Sequence, residues 1–476
     1  MVRVSHLSMS LLLVFAAPIA TTAFSSPTAT TLANGLPANM PVGTIKLSTD
    51  AELWTHWPNK SYDIGQKAWD FDAHLDGEQV VWQHDNGRTW EIWAAARGKG
   101  CRQITNGASD AESPDVSGGL IAWSGFDGQA WQIFVSNGGG SPVQITQGRS
   151  DSEFPRVSNG RVAWYTYERR NVAQVYLWDS RTDQITQITS GVPSGGPVAI
   201  DGDELVWMGS DGRWFQIYYL NLATGERRQL TNDKMNHRLP AIHDGLVAWD
   251  AGDGKATEVF VWGHEHGLMR ITNNQWSDCF VDAHARRVVW ETYSSRPGIM
   301  VWDATVEPPV TFQFTDRGGG ECNPRTNGSW VVWDQRETQT PKVRANDPDA
   351  NRMRRVHFRG PNEQCNVFIV PNLDAFCAVA RVEQGIQMAY AARATDDAYN
   401  KQLCTEAEAA LAALRTGAGD TDGDGIDGGV RIAQTHLTRI RSSLDSARGL
   451  QPVQQAAFQR IRVLIETALR ALSGGA

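Results

Sequence analysis

The chain has 476 residues, 41% of them hydrophobic, enough for a sizeable core and two or three domains. Forty-four basic against fifty-three acidic residues leave a net charge of −9, which argues against a nucleic-acid surface. No stretch is long and apolar enough to span a bilayer.

Residues 1–23 place Arg3 before an apolar run at 11–17 and small residues ending at Ala23, the pattern of a cleaved secretory signal peptide. Export follows, to the periplasm or the medium. No cysteine follows the apolar run, so no lipid anchor is expected there. Residues 24–43 are rich in Ser, Thr, Ala and Pro without periodicity and read as a flexible leader.

From 44 to 347 one unit recurs. Trp82, Trp123, Trp164, Trp207, Trp249, Trp290 and Trp333 each close a short apolar strand, and successive members stand 41 to 43 residues apart. A second strand follows in each unit, such as QIFV at Gln132 or QIYYL at Gln216. A closing strand then ends in Ile-Thr or a near variant, at Thr105, Thr146, Thr189, Thr231, Thr272 and Thr315. A period of this length with strand-like content selects a β-propeller over a helical solenoid. The ladder strands are apolar on both faces, as strands buried between neighbouring blades must be, so the tryptophans read as core wedges. Seven ladder strands share only six closers, and the run 45–50 resembles the run 229–233. The expected fold is therefore a seven-bladed β-propeller, with six blades as the alternative, in which an N-terminal strand completes the last blade and leaves no open edge.

Ile-Thr, a short spacer, Pro, an Asp/Asn-Gly turn, an apolar-aromatic strand and an Ile-Tyr-Val-type strand together resemble the TolB-like propeller repeat, also called WD40-like. The pattern departs from true WD40 repeats. No Gly-His dipeptide marks the starts, and Trp-Asp pairs fall in two registers, Trp249-Asp250 and Trp178-Asp179. The resemblance implies binding of proteins or peptides, in some members beside a catalytic domain, and fold alone does not assign function. No Gly-x-Ser-x-Gly elbow or hydrolase-like domain follows the repeats.

The segments leading into the ladder strands carry Asp110, Glu112, Asp151, Glu153, Asp278 and Glu321, which should gather at one mouth of the channel. Such acids hold a cation or a basic partner, or are solvated turn residues. His264-Glu265-His266 offers two metal ligands where a site needs three or four, and reads as a hairpin turn. Trp54, Trp57, Tyr62 and Trp69 either cap the core or stack on sugar rings. Cys279 and Cys322 occupy equivalent positions eleven residues before ladder tryptophans, so a disulfide between them is expected, with Cys365 and Cys377 as a second pair. Cys101 and Cys404 remain.

Residues 348–378 read as a cysteine-containing connector. Apolar spacing then becomes helical, giving a small α-helical domain at 379–476 with stripes through Val382, Leu403, Leu437 and Ile461. Between its second and third helices, Asp420, Asp422, Asp424, the carbonyl of Ile426 and Asp427 match the first half of an EF-hand or dockerin-like calcium loop, with Gly425 at the sharp turn. The run is also similar to thrombospondin type 3 loops. It departs in its second half, with Gly428 at position 9 and Arg431 at position 12. These features point to an exported, monomeric, non-catalytic binding or scaffold protein with a protein or peptide partner and a weak calcium site. The alternative is a glycan-binding or carbohydrate-active propeller.

Overall fold

The computed structural model describes residues 45–47, 69–338, 363–416 and 428–473, apart from short turns within these ranges. The architecture is a β-propeller followed by four helices. Within each repeat the strands are antiparallel, and the chain moves outward through them from the central axis to the rim. The innermost strands are Trp69–Asp76, Ala111–Ser117, Ser152–Ser158, Ser194–Asp201, Asn236–His243, Asp278–His284 and Glu321–Thr326. Each touches the next, and the last touches the first, which closes a ring.

Ladder strands come second in each repeat, and their tryptophans are wedges as expected, none more than 5% exposed. Trp123, Trp164, Trp207 and Trp249 stack on Phe134, Tyr176, Tyr218 and Phe260 of the third strand, with ring planes within 16° of parallel. The closing Ile-Thr also has a physical cause. Thr146 Oγ1 accepts the N–H of Ile133 at 2.8 Å and donates to Gln132 Oε1 at 2.7 Å. Thr231 does the same with Ile217 and Gln216, at 2.9 and 2.7 Å. The threonine thus pegs the outermost strand to the third, where the buried side-chain oxygen of Gln132 or Gln216 takes the hydroxyl proton.

Five sheets have four strands each, and the sixth has eight. In that sheet Glu321–Thr326, Val331–Thr338, Glu363–Val370 and Ile45–Leu47 meet the four strands of the first repeat through one parallel bridge, Trp69 to Cys365. Six sheets form where the ladder predicts seven blades, because this bridge fuses the last repeat to the first. Residues 348–378, expected as a connector, supply a strand of the propeller. Glu363–Val370 pairs along its length with Val331–Thr338, and Ile45–Leu47 lies on its other edge, Ile45 opposite Ile369.

A recurrent bond ties neighbouring repeats. The N–H of Ser113 donates to Gln83 Oε1 at 2.9 Å, and that of Phe154 to Ser124 Oγ at 3.0 Å. Across the seam, the N–H of Asp72 donates to Asp334 Oδ2 at 3.1 Å, so the closure repeats the ordinary junction.

The helices are α1, Leu373–Ala391; α2, Asp397–Thr416; α3, Gly428–Ser446; and α4, Pro452–Leu472. Each contacts the next and α4 returns to α1, a four-helix bundle. Val382, Leu403, Leu437 and Ile461 are buried, as their spacing predicts. Helix α1 begins ahead of the expected 379 and packs on the strand Val310–Gln313, with Phe376 edge-on to Phe314 at 4.7 Å. Arg287 pairs with Asp374 at 2.7 Å, and one apolar core runs from the propeller into the bundle.

Neither expected disulfide forms, since Cys279, Cys322 and Cys377 are free thiols. The Cys322 thiol instead donates to the carbonyl of Asp334 at 3.6 Å, within its own sheet. Cys377 is sealed in the core between α1 and the propeller. Among the described residues no helix is long and apolar enough to cross a membrane.

Candidate functional site

Every innermost strand is interrupted by a β-bulge, visible as a register shift between Phe71 and His74, Glu112 and Asp115, Glu153 and Arg156, and so around the ring. Six of the seven bulges hold a non-glycine residue in the left-handed region: Asp72, Ser113, Phe154, Leu239, Phe280 and Asn323, with φ between 48° and 55°. Strain of this kind persists where the surrounding structure enforces it, and a bulge re-aims the residues that follow. In five strands the next residue is proline, which a strand tolerates at a sheet edge or at such an irregularity, and these strands offer both. The residue after that lines the channel: His74, Asp115, Arg156, Val198, Ala241, Asp282 and Arg325 in ring order.

These side chains surround a cavity of about 260 Å³. His74 Nδ1 donates to Asp115 Oδ1 at 3.1 Å, and Arg325 Nε donates to His74 Nε2 at 3.3 Å. Asp72 lies 3.6 Å from His74 Nε2. Asp115 Oδ2 accepts the N–H of Val157 at 2.7 Å, and Asp282 Oδ2 that of Thr326 at 2.8 Å. Burial by itself would raise the Asp72 carboxyl, but His74 and the charges of Arg325 and Arg156 outweigh it and bring it down to about 2. Asp115 is lowered by the same balance, burial against His74, Arg156 and the Val157 N–H. For Asp282 burial prevails over Arg325, and its carboxyl is raised. Behind the wall, burial pushes Asp334 up to about 8, with Asn323 offsetting it in part.

At the rim, Asp76 accepts the N–H of Gly118 and Asp201 that of Asp244, each at 2.7 Å. His243 Nδ1 accepts the N–H of Ala285 at 3.1 Å, and its ring stacks on His284 at 3.4 Å. Burial and the neighbouring His243 hold His284 down at about 4, so it is neutral at ordinary pH.

The six acids expected at a mouth stand at the other ends of these strands, and none lines the cavity. Asp110 and Asp151 accept the N–H groups of Trp90 and Trp131, both at 3.0 Å. Asp278 accepts the indole N–H of Trp290 at 3.1 Å, Glu153 and Glu321 are buried, and Glu112 is half-buried. His264 sits in a hairpin turn as expected, 3.3 Å from Glu204 Oε1 and 3.2 Å from the hydroxyl of Tyr219. Among the described residues no three metal-binding side chains converge. Trp54, Trp57, Tyr62 and the loop bearing Asp420, Asp422, Asp424, Ile426 and Asp427 lie outside the described residues.

No family profile and no curated protein matches the sequence. Solved structures similar in fold include putative TolB from Agrobacterium tumefaciens, at 15% identity over 43% of this chain and 80% of that one, with a TM-score of 0.36. The β-propeller domain of the Trilobed protease from Pyrococcus furiosus is 12% identical over 57% of this chain and 91% of that one, at 0.45. An oligogalacturonate lyase in complex with manganese is 8% identical over 72% and 94%, at 0.46. The likeness is one of fold, and nothing about activity passes from those proteins to this one.

The channel-lining residues escape a reading of apolar periodicity because their strands carry proline and charge and so resemble loops. Their signal is a proline recurring at the ladder's period with the lining residue next to it: Pro114-Asp115, Pro155-Arg156, Pro197-Val198, Pro240-Ala241 and Pro324-Arg325.

Proposed function

We propose that this chain is an exported, non-catalytic binding or scaffold protein whose propeller receives a protein or peptide partner at the cavity end of its ring. The observation that carries this reading is how the ionisable groups around the cavity engage one another. His74 has Asp115 on one nitrogen and Arg325 on the other, and Asp115 and Asp282 each hold a backbone N–H of the next strand. Hydrolysis needs an acid and a base able to meet a substrate atom, and here protein groups occupy them. The glycan alternative has less support, since among the described residues the phenyl and indole lining of the cavity is limited to Phe154 and Phe280, and Phe154 already stacks on Tyr165. Burial of Glu153, Asp278 and Glu321 likewise favours the cavity end over the opposite one.

We read the ring as seven wedges, since the eight-stranded sheet holds two ladder tryptophans, Trp82 and Trp333, and seven innermost strands surround the axis. Calcium at the Asp420–Asp427 loop remains part of the proposal. A photo-crosslinking side chain at Asn159, exposed on the cavity rim, should capture a polypeptide from the host's extracellular fraction that one at Ile185, on an outermost strand, does not. Equal capture at both positions, or a glycan as the captured species, would overturn the assignment.

A further inference from the structure

The cavity wall has two unlike arcs. Val198 and Ala241 are consecutive in the ring and leave one arc apolar, which Pro197, Leu239, Pro240 and Phe280 extend. The other arc runs Asp282, Arg325, His74, Asp115, Arg156, with charges that alternate. Acceptors on this arc are engaged: Asp115 holds both His74 and the Val157 N–H, and Asp282 holds the Thr326 N–H. Donors are not. Arg325 gives Nη1 to the carbonyl of Pro324 and Nε to His74. Arg156 gives only Nη1, to the carbonyl of Pro155 at 2.9 Å, and forms no ion pair among the described residues.

A guanidinium carries five N–H donors in a planar fork that matches a carboxylate. Arg156 therefore faces the cavity with a surplus of charged donors, and its neighbour in the ring is Val198, the start of the apolar arc. At about 260 Å³ the cavity lies below the range of sites for drug-sized ligands. That suits one small group rather than a folded segment or an oligosaccharide.

We infer that the cavity binds a carboxylate bearing a short apolar group, with the carboxylate on Arg156 and the apolar part against Val198 and Ala241. Two sources share this chemistry: a free short-chain acid, and the C-terminus of a peptide whose last residue is apolar. The peptide source rests on the partner-binding reading above, and the free acid does not.

The test is calorimetric titration of the full chain with three probes: isovalerate, a pentapeptide ending in valine with a free carboxylate, and the same pentapeptide as its C-terminal amide. The free-acid peptide should bind at least about tenfold tighter than the amide, as expected for hydrogen bonds to a charged group. Arg156→Gln should abolish that ratio, and Arg156→Lys should retain part of it, keeping the charge without the fork. The acid-to-amide ratio is measured on the unsubstituted chain, so the result does not depend on how the variants fold. Equal affinity for acid and amide overturns the inference while leaving the peptide reading in place. Binding of isovalerate but of neither peptide supports the carboxylate site and removes the peptide partner. No binding of any probe, or an unchanged ratio in Arg156→Gln, overturns the site.

Discussion

The ladder position and the channel-lining position belong to the same repeat, one strand apart, yet they behave in opposite ways. At the first, all seven copies are tryptophan and buried. At the second, the seven copies are His74, Asp115, Arg156, Val198, Ala241, Asp282 and Arg325, a mixture of acids, bases and apolar residues. A wedge between blades meets the same surroundings in every repeat, so one side chain solves the packing problem everywhere. A lining residue faces an opening, and each can take a different chemistry provided the bulge beneath it is kept.

Substitutions can break this contrast. Trp164→Ala should cost about 3–5 kcal/mol, through lost burial and the cavity left beside Tyr176, read as a fall in the denaturation midpoint. Trp249→Ala should cost a similar amount if the wedges are equivalent. Thr231→Val, which removes the partner of the Gln216 side-chain oxygen and of the Ile217 N–H, should cost about 1–3 kcal/mol by the same measurement. Arg156→Lys, at a lining position, should change stability by less than about 1 kcal/mol.

A pH scan sharpens the comparison at the seam. The Asp334 carboxyl stands at about 8 in the folded chain against an ordinary 3.8, so the folded state holds a proton that the unfolded state has released. Its stabilising contribution is full below the lower value and is lost as pH rises through the higher one. Asp334→Asn keeps an acceptor for Asp72 and should flatten the fall in melting temperature between about pH 5 and about pH 8. Asp72 works with the opposite sign: its contribution is present above 3.8 and lost as pH falls through about 2. The smallest effect is expected from calcium. Calorimetry should show uptake at about 10⁻⁴–10⁻³ M that Asp420→Ala removes, and no uptake in the parent chain would dispose of that site.

What the sequence reveals follows the same divide. The ladder and the helical stripes are legible because apolar periodicity records burial on regular elements, and the Ile-Thr pegs, which stand just past the ends of the outermost strands, are legible because they recur at the ladder's period. The innermost strands are not legible that way, because bulges, prolines and charges erase the alternation. Glu363–Val370 is missed for another reason: it follows Val331–Thr338, the strand it pairs with, after a long intervening segment instead of the short turn that the repeat's period leads one to expect. The disulfide expectation fails because equal offsets put Cys279 and Cys322 at equivalent places without aiming one thiol at the other.

Ile45–Leu47 pairs with residues more than three hundred positions later. During synthesis this strand emerges among the first and has to wait, with its backbone groups unmatched, until nearly all the propeller has been made. Over that interval it is a sticky end, open to capture by another chain's unfinished sheet. A fusion partner placed close to Ile45 would therefore interfere with assembly more than the same partner placed after α4.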